Sequence, residues 1–314
     1  MENTVHPFGV VKGKQGSDTA ALEAIANDIE MDDDSVVVGL DLVGVPLDPD
    51  LSKTVAALKG LRKLRIDSDI IVSHSGYESS YAGASFSPSS SFLEILQVPK
   101  LTSLEIPSGL PLGDEGLAAI GELKGLQRLQ LPFAEYGDPP ERKPTSLRQF
   151  GISTEPAEFA WLVRSRRRHG RTTVPGYEDL EAYFTAAGLA NLAKLTQLDS
   201  LFIPGYLLDT PLTKLVAGLP QLVELHAPFG LACPEDLSIL ASNQNLRSLT
   251  IGIHDDTFDN LVAMRDKMPP LTTLQLTMIV EQQVDDDLRS RFQERLRNAF
   301  PDAETHIFFI SEPQ

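Results

Sequence analysis

Five arginines fall within eight residues, at Arg164, Arg166, Arg167, Arg168 and Arg171, in a chain of 314 residues whose formal net charge is −17. A guanidinium fork holds a carboxylate or phosphate through paired hydrogen bonds, so this run suits an acidic protein, a phosphorylated segment or RNA. The plainer alternative is a solvated helix end, or a dock onto the protein's own acidic surface. The second candidate for chemistry is the single cysteine, Cys233, which opens Cys-Pro-Glu-Asp-Leu where a helix should begin. A helix N-terminus favours thiolate. Catalysis by a thiol also needs a base within reach, and only His226 and His254 could stack near it. A small buried filler is the simpler role for it.

Other patterns carry less. Gly9-Val-Val-Lys-Gly-Lys-Gln15 is one residue short of a phosphate loop and lacks the hydroxyl residue after its lysine. The six histidines show no spacing that would ligate zinc, and Asp32–Asp34 and Asp285–Asp287 lack the glycine and glutamate of a calcium loop. No nucleophile elbow or kinase signature is present. The chain is therefore expected to be no enzyme and to need no cofactor or metal.

The elements that position these residues follow from a repeat. Leu198-Asp-Ser-Leu201-Phe-Ile203 returns as Leu222-Val-Glu-Leu225-His-Ala227, Leu246-Arg-Ser-Leu249-Thr-Ile251 and Leu271-Thr-Thr-Leu274-Gln-Leu276. The marks Leu201, Leu225, Leu249 and Leu274 are 24, 24 and 25 residues apart. Earlier marks are Leu40, Leu64, Leu104, Leu129 and Phe150, the last in Leu147-Arg-Gln-Phe-Gly-Ile152. Two long steps separate otherwise regular units and read as insertions, at about 67–91 and 155–183. The first is rich in Ser, Gly and Tyr; the second holds Trp161 and the arginine run. Insertions of this kind emerge on one face of a repeat array, often the binding face. Residues 1–35 read as a tail and a capping helix with Ala20, Leu22, Ala24, Ile25 and Ile29 on one face. Repeats fill 36–284. Residues 285–314 form a closing unit, a charged helix stopped by Pro301 and then a strand at Thr305–Ile310.

The pattern L-x-x-L-x-L at this period resembles the leucine-rich repeat family over roughly Val36 to Leu276, and units such as Leu117–Leu131 are similar to the cytosolic bacterial type. The resemblance implies an α/β solenoid, a horseshoe with a concave parallel sheet, convex helices and terminal caps. It also implies a non-enzymatic module that holds a protein partner on the concave face through the non-leucine strand positions. The family's turn asparagine is missing here. Instead Pro107, Pro132, Pro204 and Pro228 follow strands, and proline lacks the N–H that continued pairing needs, so these strands should end early.

On that register the middle strand position runs Asp41, Arg65, Glu105, Gln130, Gly151, Phe202, His226, Thr250, Gln275. The candidate partner-binding residues are Arg65, Arg128, Gln130, Phe133, Phe202, Glu224, His226 and Phe229, with the arginine run as a possible anion site. Strand alternation sends Phe202 outward; Phe133 and Phe229 either join it in an aromatic cluster or tuck into the core. Two other functions fit the same architecture. One is substrate recognition in a ubiquitin-ligase-type complex, although neither an F-box-like helix pair nor a catalytic cysteine domain is found. The other is binding of RNA or another polyanion through the arginine run.

The acidic balance opposes general nucleic-acid binding, because phosphates are repelled. One cysteine points to a reducing compartment. With no charged and apolar leader, and no apolar run near ~20 residues, the expectation is a cytoplasmic protein away from membranes. Export as an effector without a signal peptide stays open.

Overall fold

The structure is a computed structural model; it describes residues 22–45, 47–66, 90–107, 112–132, 135–136, 183–184, 186–204, 206–207, 215–216, 218–280 and 285–311. In chain order its elements begin with β1 (Asp28–Met31), β2 (Val37–Leu42), α1 (Pro49–Ala56), β3 (Lys63–Ile66), α2 (Ser90–Ile95) and β4 (Ser103–Glu105). Then come α3 (Gly113–Gly121), β5 (Arg128–Gln130), β6 (Glu135–Tyr136), β7 (Tyr183–Phe184), α4 (Ala186–Ala190), β8 (Ser200–Phe202) and β9 (Tyr206–Leu207). The chain closes with β10 (Glu224–Leu231), α5 (Pro234–Ser242), β11 (Ser248–His254), α6 (Asp255–Ala263), β12 (Thr273–Val280), α7 (Asp286–Ala299) and β13 (Glu304–Ser311).

The class is α/β. Among the described residues ten strands form one sheet in the order β1-β2-β3-β4-β5-β8-β10-β11-β12-β13, and β7, β6 and β9 form a second, small one. Only β1 and β2 are antiparallel in the large sheet. The second leucine of each unit is laterally paired with the next: Leu40, Leu64, Leu104, Leu129, Leu201, Leu225, Leu249 and Leu274 stand side by side. Each of them is at most 4% exposed, and Leu42, Ile66, Ile106, Leu131, Ile203, Ala227, Ile251 and Leu276, two positions on, are all 0% exposed. Alternation along a strand sends both positions to one face. There they meet the buried sides of the helices, such as Leu51 and Val55 of α1, Leu117 and Ile120 of α3, and Leu237 and Leu240 of α5, in a single core from Leu22 to Phe300. Each fully buried leucine contributes about 1.5–3 kcal/mol of apolar transfer energy, which makes this stack the main source of stability.

The prolines act as strand terminators in three of four places. β4, β5 and β8 have three residues each and stop short of Pro107, Pro132 and Pro204. Without a proline, β11 and β12 extend to seven and eight residues. At Pro228 the expectation of early termination is wrong. β10 continues to Leu231 by shifting register, from Ala227 opposite Ile251 to Leu231 opposite Gly252. Pro228–Gly230 are extra residues in the ladder, and a bulge is where a sheet tolerates a missing donor.

Two other local expectations change. Ile29, expected on a helix, lies in β1, which turns back on β2 through a tight bend. Asp32 holds that bend by accepting from the N–H groups of Asp34 and Val36 at 3.1 and 2.9 Å, and Ser35 takes a φ of 61°. The unit expected at Phe150 lies outside the described residues, among which β5 pairs directly with β8. Cys233, expected as a buried filler, is exposed. At the other end Asp285 caps α7 by accepting from Leu288 N–H at 2.7 Å, and β13 pairs with β12 over eight residues.

Candidate functional site

The face of the sheet turned away from the leucine stack carries the predicted residues. Register alone aligns Asp41, Arg65, Glu105, Gln130 and Phe202 across β2 to β8. The row continues through His226, Thr250, Gln275 and His306. One pleat away, Lys63, Ser103, Arg128, Ser200 and Glu224 form a parallel row.

At the N-terminal end these rows are charged and paired. The Lys63 ammonium lies 2.9 Å from Glu30, and the Arg65 guanidinium lies 3.0 Å from Asp41 and 3.5 Å from Glu105. Glu30 reaches Lys63 across Gly39, where a side chain would have to displace Glu30: a Cβ on Gly39 would stand 2.9 Å from the Glu30 Cβ. Arg65 is thus on the expected face, with its charge answered from both sides within the chain.

In the middle, Arg128, Gln130, Phe202 and Glu224 line one depression of about 290 Å³, together with Glu105 and Ser200. Glu224 accepts a hydrogen bond from the Ser200 hydroxyl at 3.0 Å. Arg128 is exposed and makes no ion pair among the described residues. Beside it, partial burial raises the pKa of Asp199; Glu224 pushes the same way and Arg128 opposes.

His226 stacks on Phe202 with ring centroids 4.3 Å apart and planes 12° from parallel. Both rings are half-buried, and the His226 ring makes no hydrogen bond among the described residues. Burial pushes its pKa down to about 4. The imidazole is therefore neutral near pH 7 and serves as a second aromatic plate, extending the apolar surface begun by Phe202. Thr250, the next residue of the row, is 5% exposed, so the aromatic pair borders one buried hydroxyl residue before the row opens again at Gln275 and His306.

Phe133, Arg164, Arg166, Arg167, Arg168 and Arg171 lie outside the described residues, as does the Phe229 side chain; only the backbone of Phe229 is placed, in the bulge of β10. The Cys233 thiol has its pKa raised by desolvation, with the carboxylates of Asp236 and Glu235 beside it. A thiol so placed is no activated nucleophile. Among the described residues no group of three or more His, Cys, Asp or Glu side chains is arranged to hold a metal, and no helix is long and apolar enough to cross a membrane.

Glu30 and Ser200 were not among the predicted site residues. Ser200 stands one unit before Glu224, so the register could have found it. Glu30 depends on the β1–β2 reversal, for which the one sign in the sequence is Gly39, a blank in a row of side chains. Compared with models of known protein families and with curated protein sequences, the chain matches none.

Proposed function

We propose that this chain is a leucine-rich-repeat solenoid acting as a non-enzymatic binding module, which grips a protein partner on the open face of its sheet around Phe202 and His226. The observation that carries the reading is the stacked, half-buried Phe202–His226 pair beside Arg128, which makes no ion pair among the described residues. Flat aromatic plates next to an available guanidinium are the residue types on which interface energy concentrates, because they desolvate large areas at low entropic cost. The leucine period and a strand order that follows the sequence support the solenoid reading.

A partner recovered from native lysate on the wild-type protein, identified by mass spectrometry and titrated by calorimetry, provides the test. Phe202→Ala with His226→Ala should weaken its binding by roughly thirtyfold or more, as loss of a hot spot of ~2 kcal/mol requires. Circular dichroism should stay unchanged, because neither ring belongs to the leucine core. Unchanged affinity in the folded double variant would sink the proposal.

A further inference from the structure

Among the described residues β13 ends the sheet, and a terminal strand presents a row of outward N–H and C=O groups. Its inward ladder starts with Glu304, whose N–H donates to the Thr272 carbonyl at 2.8 Å. Alternation therefore leaves the backbone groups of residues 305, 307, 309 and 311 facing outward. Two of these groups are taken by one side chain. The Gln293 amide donates to the Thr305 carbonyl at 2.8 Å, and its carbonyl oxygen accepts from the Ile307 N–H at 3.1 Å. In a parallel sheet, a residue bridging position 306 makes these same two bonds with its backbone. The carboxamide, projecting from α7, stands where the peptide groups of an eleventh strand would be.

The geometry points to a strand-pairing surface on the outer edge of β13 that fits a second copy of this chain and that Gln293 keeps closed. The edge is eight residues long, has no proline, lysine or arginine, and holds the apolar run Ile307-Phe-Phe-Ile310. Natural edges are usually blunted by those missing residues; here one amide does the blunting. The edge is also self-complementary. An antiparallel pairing about a twofold axis at Phe308 sets Phe308 against its own copy and Ile307 against Phe309. Every twofold register that uses more than the last two outward residues needs the groups of Thr305 or Ile307 that Gln293 occupies.

Sedimentation velocity on the full chain across a concentration series tests this. The wild type should show no association through β13. Gln293→Ala should dimerise at least about tenfold more tightly, the equivalent of one freed hydrogen bond. Adding Phe308→Lys should return the monomer, because like charges then oppose each other across the axis. Gln293→Glu, which keeps the acceptor but loses the donor, should fall between and guards against a Gln293→Ala chain that fails to fold. A folded Gln293→Ala protein that stays monomeric overturns the proposal. So does a dimer indifferent to Phe308→Lys, or a wild-type dimer that this change abolishes.

Discussion

On the open face, strands β2 to β4 carry charges that answer one another, whereas β8 and β10 carry a ring stack that no polar side chain holds among the described residues. Both stretches stand on the same leucine rows, so their difference owes nothing to the core. Arg65 sits between two carboxylates at 3.0 and 3.5 Å and has no charge left over. Phe202 and His226 are half-buried without polar partners and keep apolar area to lose. A surface that satisfies itself offers an incoming protein little, because its ions must be desolvated and their pairs broken. Apolar plates next to a guanidinium with no ion pair among the described residues offer the reverse. Position on the right face is thus a poor guide to a binding residue; what matters is whether its neighbours have already used it.

The largest expected effect checks the shared base. Leu64→Ala and Leu249→Ala, at 1% and 0% exposure, should each destabilise by roughly 2–5 kcal/mol in urea unfolding. A change well below that at either position would mean the two halves do not stand on one core.

The next separates the halves by pH. His226 has its pKa lowered by burial from 6.5 to about 4, so between those values the unfolded chain takes up a proton that the folded one refuses. Stability should therefore fall as pH drops from 6.5 towards 4, by at most roughly 3 kcal/mol from this residue, and be unaffected by it above 6.5. His226→Phe should flatten the melting-temperature profile over that interval. Equal slopes in the two proteins would place the imidazole in water.

The smallest effect belongs to the charged half. Arg65→Ala should cost about 1 kcal/mol or less, since the pairs are exposed and screened, and the difference should shrink in high salt. A loss of several kcal/mol would make the ladder structural.

How much of this was legible depended on distance along the chain. Leucine spacing located the strands at Leu201, Leu225, Leu249 and Leu274 and their lateral register, because each unit pairs with the next. The same register placed Arg128, Gln130, Phe202, Glu224 and His226 on one face. It also set Arg65 between Asp41 and Glu105, but their mutual neutralisation shows only once side chains are measured. The β1 reversal was hidden because apolar residues around Ile29 fit a helix period as well as a short strand. Exposure of Cys233 and the reach of Gln293 from α7 to β13 depend on how elements pack together, which no spacing encodes.

The β5–β8 junction has a mechanical consequence. Three residue pairs join these strands, against eight between β12 and β13. The paired leucines Leu129 and Leu201 are 72 residues apart in sequence, against 24 for Leu201 and Leu225. Beneath the sheet α3 packs on α4 and Lys194 pairs with Glu122, so the helix layer ties the two sides of this junction together. The depression of Arg128, Gln130, Ser200 and Phe202 straddles that junction, with two residues on each bank. Under the proposed function, a partner seated there would act as a suture, touching both strands that the longest crossover in the sheet brings together.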